Sequence, residues 1–293
     1  MKPNVWQAMK PAELCLGEFL RRSSPEINQL VEFPQQTCLV LLAHVIGKPQ
    51  TWVLAHPEAA LSRSEQAELQ ALLSRLKKGE PLAYLIGKQE FFGLSFEVSP
   101  DVLIPRPETE LLVETALAWL RSHPAADSVL DVGTGSGCIA ISLAVHAPVL
   151  RVIATDLSAK ALSSAQRNAE VHHVEARITC VQADLIPKDL GCFDLICANL
   201  PYVPTSKLAE VNSLPFEPAL ALDGGPDGLT VIRRCLDEAP AHIRTPGMLL
   251  FEIEATTGNA ALARARNAFP QAKISLLPDL TGKVRLLTIE LEP

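Results

Sequence analysis

The sequence predicts an α/β fold, in which helices cover a mostly parallel seven-stranded sheet with one late antiparallel strand, preceded by a small N-terminal helical domain. Three observations carry this expectation. From residue 128 onward, seven short apolar runs are mostly separated by helical segments. The first run ends in a glycine-rich turn that opens a helix. The last two are joined only by "DLTGK", which is too short for the crossover that parallel neighbours need, so the final strand reverses.

The elements follow in order. Residues 1–78 read as helical. "LVLLAHVIG" (39–47) is apolar and ends on a glycine suited to a helix C-terminus. In "LSRSEQAELQALLSRLKKGEP", Ser62 or Ser64 is placed to cap a helix whose apolar face is Leu69, Leu72, Leu73 and Leu76, with Gly79 and Pro81 as the stop. Residues 79–110 change texture: "YLIGKQEFFGLSFEVSPDVLIP" predicts a hairpin turning near Gly93, and this segment reads as a β-hairpin linker. Residues 111–293 are expected to form the large α/β domain, with strands at 128–132, 151–156, 177–184, 193–199, 247–254, 273–278 and 284–291.

The 293 residues are 48% hydrophobic and 20% charged, which suits a globular protein of one large and one small domain. A net charge of −7 argues against a sequence-independent nucleic-acid binder, which needs a basic surface. Seven cysteines lie at 15, 38, 138, 180, 192, 197 and 235 without the paired spacing of zinc knuckles, so reduced thiols, a cytoplasmic location and no metal are expected. No apolar run is long enough to span a membrane, and the opening "MKPNVWQAMKPAELC" lacks the apolar region of a secretory leader.

"VLDVGTGSGCIAISLA" is a strand, a glycine turn and a helix start. Gly133, Thr134, Gly135, Ser136 and Gly137 form a loop that a ligand can approach closely. Asp131 sits at the end of that strand, Asp156 ends the next and Asp184 ends the third. Three acids at successive carboxyl ends are expected to face one crevice, Asp156 toward ribose hydroxyls and Asp184 toward an adenine amino group. A dinucleotide and S-adenosylmethionine both suit this pattern. The third glycine arrives one residue early for a pyrophosphate loop, and the added acid favours a cationic sulfonium.

The fourth strand decides between them. "FDLICANLPYVP" stops a buried run on Asn199, followed by a turn stiffened by Pro201. "NLPY" resembles the Asn-Pro-Pro-Tyr motif of methyltransferases that modify planar amino groups. Such a nitrogen is a poor nucleophile, because its lone pair is delocalised. The Asn199 oxygen and the carbonyl of Leu200 can accept its two hydrogens, and Tyr202 offers an aromatic face to a flat group.

The chain resembles the HemK/PrmC family, which methylates the glutamine of the Gly-Gly-Gln loop of peptide chain release factors. The most specific segments are "GEPLAYLIGKQEFFGLSFEVSPDVLIPRPETELLVE" (79–114), "LDVGTGSGCIAISLA" (130–144), "FDLICANLPYVP" (193–204) and "LPFEPALALDGGPDGL" (214–229). The resemblance implies a Rossmann-like, class I S-adenosylmethionine-dependent methyltransferase that acts on a release factor; a monomer without direct contact to nucleic acid or membrane is expected. It implies cofactor contacts at Gly133 to Gly137, Asp156, Asp184 and Asn199, and a catalytic and substrate clamp at Asn199, Leu200, Pro201 and Tyr202. Phe92 (or its neighbour Phe91) and Arg106, with Glu108 and Thr109, are expected at the mouth of the site. Arg106 and Glu108 are also spaced to pair with each other. The helical domain is expected to help seat the release factor. Leu200 stands where the family has its first proline, at some cost in turn rigidity. An amino-methyltransferase acting on adenine or cytosine in nucleic acid is the alternative, and it would carry a basic strip.

Overall fold

The computed structural model describes residues 14–210 and 215–292, and the chain divides into two units, Met1–Ile86 and Gly87–Pro293. The helical reading of residues 1–13 lies outside the described residues, as does Leu214 at the start of the 214–229 segment.

The first unit is helical: α1 (Leu16–Ser23), α2 (Pro34–Ile46), α3 (Gln50–Ala55), α4 (Arg63–Leu76) and α5 (Leu82–Ile86). Pro34 opens α2 at a position where its missing N–H costs nothing, and Gly47 closes it in the left-handed conformation. Ser62 caps α4 in a reciprocal box with Glu65. Leu69, Leu72, Leu73 and Leu76 bury one face of α4 against Leu41 and Leu42 of α2.

The second unit begins with a hairpin, β1 (Lys88–Phe91) and β2 (Leu94–Glu97), followed by α6 (Glu110–Ser122). Phe92 and Gly93 form its two-residue turn, both at positive φ (50° and 72°), as strand twist demands of a tight hairpin. The sequence placed domain boundaries at 78 and 110, but the division falls at Ile86/Gly87. The physical reason is burial: Phe91 and Phe96 join Leu112, Val113 and Ile139 in one core, so the hairpin packs as part of the second unit.

The large sheet comprises β3 (Ser128–Val132), β4 (Arg151–Asp156), β5 (Ile178–Gln182), β6 (Phe193–Ala198), β7 (Ile243–Glu252), β8 (Lys273–Pro278) and β9 (Val284–Leu291). Its spatial order is β5-β4-β3-β6-β7-β9-β8, with β9 antiparallel to both neighbours. Three strands differ from their expected bounds: β5 stops at Gln182, leaving Asp184 beyond its end, β6 stops at Ala198, one residue before Asn199, and β7 starts earlier, at Ile243. Helices α7 (Cys138–His146), α8 (Ala159–Val171), α9 (Thr230–Glu238) and α10 (Gly258–Ala268) complete the unit.

Alternate residues of each strand enter opposite cores. Val129, Leu195, Cys197 and Leu250 face the side of α6 and α7, whereas Leu130, Ile196, Ala198 and Phe251 face that of α9 and α10. The chain reverses direction across the sheet between β3 and β6, and such a switch point opens a crevice at the carboxyl ends of the strands. Among the described residues, no helix is long and apolar enough to cross a membrane.

Candidate active site

A cavity of about 540 Å³ lies at that switch point, lined by the glycine loop, Asp156, Asp184, Asn199, Leu200 and Pro201, and by the segments 101–106 and 218–221. This is the size of an ordinary small-ligand site.

The loop after β3 makes the floor. Gly133, Gly135 and Gly137 all have positive φ (73°, 56° and 83°). A Cβ on Gly135 would meet nothing within 4 Å, whereas one on Gly137 would lie 2.9 Å from Ile141 Cδ1 and 3.2 Å from Ala165 Cα. Gly135 therefore leaves room for a ligand, and Gly137 lets α7 and α8 pack closely. Asn168, fully buried on α8, ties the loop to the hairpin: its Nδ2 donates to the carbonyls of Ser136 (2.9 Å) and Glu97 (3.0 Å).

The three acids have different fates. Asp156 accepts from the Gly135 amide (2.9 Å) and the Ser158 amide (2.8 Å), and lines the cavity. Burial raises its carboxyl, against the pull of those two amides. Asp184 also lines the cavity, with its carboxylate on Arg234 at 2.8 Å. Arg234 is a lining cation that the sequence reading did not single out. Asp131, expected to face the crevice, does not. By strand alternation it points into the core with Cys197, is fully buried, and accepts from the Thr134 hydroxyl at 2.7 Å. Among the described residues its other oxygen has no hydrogen-bond partner, and burial pushes the carboxyl up to about 7. Asp131 braces the loop from beneath.

The Asn199 carboxamide is held by both of its hydrogens. Nδ2 donates to Thr109 Oγ1 (3.1 Å) and to Glu252 Oε2 (3.0 Å), while Oδ1 makes no hydrogen bond within the described residues. Tyr202 donates its hydroxyl to the other oxygen of Glu252, at 3.0 Å. The Tyr202 ring packs against the second core and does not line the cavity, so the expected stacking face is instead an anchor. Burial and the Glu252 charge hold its phenol far above the usual range. Glu252 ends β7 and is 2% exposed. Burial raises its carboxyl, opposed by the Thr109 and Tyr202 hydroxyls. The sequence reading passed over Glu252, although an acid inside the apolar run "MLLFEIE" was the available signal.

Leu200 is 3% exposed, and its Cδ2 would lie 3.0 Å from a Cβ on Gly133. The family's proline ring is thus replaced by a buried side chain that packs on the glycine loop. Among the described residues, no turn or loop hydrogen bond takes the Leu200 carbonyl. Arg106 lines the cavity but does not pair with Glu108. Its Nη2 donates to both oxygens of Glu217 (2.8 and 2.6 Å), whose carboxylate also receives the Ile104 amide. A fully buried carboxylate outcompetes the exposed Glu108 for the guanidinium. This pair fastens the 101–106 segment to the 215–221 segment.

Phe92 is not at the mouth. Its amide donates to Glu110 Oε1 (2.8 Å), and its ring sits edge-on to His146 at 5.0 Å. His146 ends α7, whose first residue meets the glycine loop, so Phe92 lies about 13 Å along that helix from the site. Phe91 is core.

Residues 18–87 match the PrmC N-terminal domain and residues 107–214 the methyltransferase small domain. The chain is 42% identical to a release factor glutamine methyltransferase of Bordetella pertussis over 80% of its length and 87% of the relative's. It is 41% identical to one of Moorella thermoacetica over 92% and 95%, and 32% identical to one of Rhodopirellula baltica over 97% and 96%. Among solved structures, the human Mettl16 catalytic domain in complex with a MAT2A 3′UTR hairpin superposes with a TM-score of 0.54 at 14% identity, covering 79% of this chain and 83% of that one, a likeness of fold alone. With relatives this similar along nearly all of both chains, the protein belongs to the release factor glutamine methyltransferase family.

Proposed function

We propose that this protein transfers a methyl group from S-adenosylmethionine to the side-chain amide nitrogen of the glutamine in the Gly-Gly-Gln loop of a peptide chain release factor. The observation that carries the reading is the Asn199 carboxamide, pinned by both hydrogens so that its oxygen is left as an acceptor at a cavity large enough for a nucleoside.

The residues present fit the methyl donor. Gly135 is open above the loop, Asp156 keeps unused lone pairs beside it, and the lining is largely apolar around those polar groups. When bound, S-adenosylmethionine supplies an electrophilic methyl on a sulfonium. Asp156 would hold the ribose hydroxyls, and Asp184 with Arg234 would flank the base. Asn199 Oδ1 accepts one hydrogen of the substrate NH2 and the Leu200 carbonyl the other. Two fixed acceptors hold the nitrogen in place and let its lone pair leave conjugation with the carbonyl, so positioning and oriented dipoles do most of the work. The side chain needs no strong base, because the proton leaves after transfer.

The helical unit, matched to the PrmC N-terminal domain, seats the protein substrate. Action as a monomer, in the cytoplasm and without direct contact to nucleic acid, belongs to the same reading. The alternative, methylation of adenine or cytosine in nucleic acid, shares the clamp but not the relatives' names, and the net charge of −7 opposes it. The test is incubation with methyl-labelled S-adenosylmethionine and a purified release factor, followed by peptide mass spectrometry. One methyl on the loop glutamine, absent when that residue is changed, is the expected result; label appearing in nucleic acid and not in the release factor would overturn it.

A further inference from the structure

We propose that Glu252 is a positioning residue that fixes the donor–acceptor sense of Asn199, and so makes the clamp specific for an amide NH2. The inference rests on the reading of Asn199 as the substrate clamp.

A carboxamide can be turned end for end at little steric cost, and only one orientation presents an acceptor to the substrate. Glu252 decides which. Its Oε2 lies 3.0 Å from Asn199 Nδ2. In the turned orientation, Asn199 Oδ1 would face that carboxylate oxygen, acceptor against acceptor in a buried setting, while Nδ2 would project a donor at the substrate's own donors. Thr109 alone cannot enforce the choice, because a hydroxyl both donates and accepts. Tyr202 holds Glu252 in turn, through Oε1 at 3.0 Å. Register explains why this acid is in reach: Phe251 pairs with Ala198, so the next residue of each strand, Glu252 and Asn199, lies on the same face at the same rim. The arrangement also disfavours a carboxylate in place of the substrate amide, which would bring only acceptors against the Asn199 oxygen.

A donor–acceptor swap tests this. Asn199→Asp sets two carboxylates against each other, and transfer is expected to fall at least 100-fold. Glu252→Gln offers Asn199 a donor or an acceptor, and kcat is expected to fall about tenfold with KM for the release factor changed less than threefold. In the variant carrying both changes, the new amide on β7 donates to the new carboxylate at the end of β6, whose second oxygen still accepts from substrate. Transfer should recover at least tenfold over Asn199→Asp alone. Calorimetry of S-adenosylmethionine binding reports that each variant is folded.

A second readout does not depend on activity. In protein labelled with 15N-asparagine, the Asn199 side-chain amide, identified by its loss in Asn199→Asp, should exchange its hydrogens at least tenfold faster in Glu252→Gln. Tyr202→Phe, which leaves the Asn199 bond in place, should change exchange less than threefold. Wild-type kcat and exchange in Glu252→Gln, or a double variant no better than Asn199→Asp, would overturn the proposal. If Glu252→Gln alone does not fold, the double variant still decides. If the wild type methylates no release factor, the function assigned above falls, while the exchange measurement still judges Glu252.

Discussion

Gly135 and Gly137, separated by a single serine, are predicted to fail in different ways when given the same methyl group. At Gly137, φ is +83° and an added Cβ would sit 2.9 Å from Ile141 Cδ1, 3.1 Å from Ala165 Cβ and 3.2 Å from Ala165 Cα. The left-handed backbone costs an L-residue about 1–2 kcal/mol. Pressing a methyl against backbone as well as side chain adds overpacking of about 1–3 kcal/mol. Gly137→Ala should therefore lose about 3 kcal/mol and lower the melting temperature by roughly 6–12 °C. At Gly135, φ is +56° and the same atom meets nothing within 4 Å, so only the conformational part applies, about 1–2 kcal/mol. Its methyl instead enters the space over the loop, where the methyl donor is assigned. Gly135→Ala should weaken S-adenosylmethionine binding at least tenfold while melting well above Gly137→Ala. Calorimetric titration and thermal melts of both variants make the comparison. Normal cofactor affinity in Gly135→Ala, or a Gly137→Ala variant as stable as Gly135→Ala, would refute the reasoning.

The other predictions concern single side chains. Asn199→Ala should reduce methyl transfer by at least 100-fold and leave S-adenosylmethionine affinity within about threefold, as read by single-turnover kinetics beside calorimetry. Asp156→Ala should weaken cofactor binding about tenfold or more, since it removes both the lone pairs at the cavity and the acceptor of the Gly135 amide; unchanged affinity would place the ribose elsewhere. Leu200→Pro should keep transfer within about threefold, because the carbonyl remains, but should lower stability by about 1–3 kcal/mol through loss of the buried side chain against Gly133. Asp131 predicts a pH dependence. Its carboxyl is raised by burial to about 7 from the 3.8 of an ordinary aspartate, so the folded protein binds a proton that the unfolded chain releases. That contribution is complete below about pH 4 and lost as pH rises through 7, on the order of 4 kcal/mol over the interval. Melts of Asp131→Asn against wild type from pH 4 to 8 should show the variant gaining relative stability as pH rises; parallel curves would contradict it.

Much of the fold was legible because its signals are local. A strand reads as a short apolar run, and β3, β4, β8 and β9 fall on their expected bounds. The brevity of "DLTGK" forced the antiparallel last strand, since no parallel return fits in five residues. What the sequence could not convey was which core each segment joins. The hairpin looked like a linker because its strands are only four residues long. Its membership of the second unit depends on Phe91 and Phe96 meeting α6 and α7, and on Asn168 reaching back 71 positions to Glu97.

The same division runs through the site. Gly135, Asp156 and Asn199 were legible because each lies at or just past the end of a strand, where position along the chain nearly fixes position at the rim. Asp131 also lies near a strand end, yet alternation turned it inward, and one residue of parity separates a side chain lining the cavity from a buried brace. Arg106 was read against its nearest acid in sequence, but charge pairing follows burial rather than spacing, and the enclosed Glu217 took the guanidinium across 111 positions. Glu252 shows the limit most clearly. Its signal was an acid in an apolar run, which looks like noise until β7 is known to lie beside β6 in a register that brings it to Asn199. The motif names the residue to which the proposed function gives the substrate; the residue proposed to give that contact its direction comes from the adjacent strand, and only the pairing of strands reveals it.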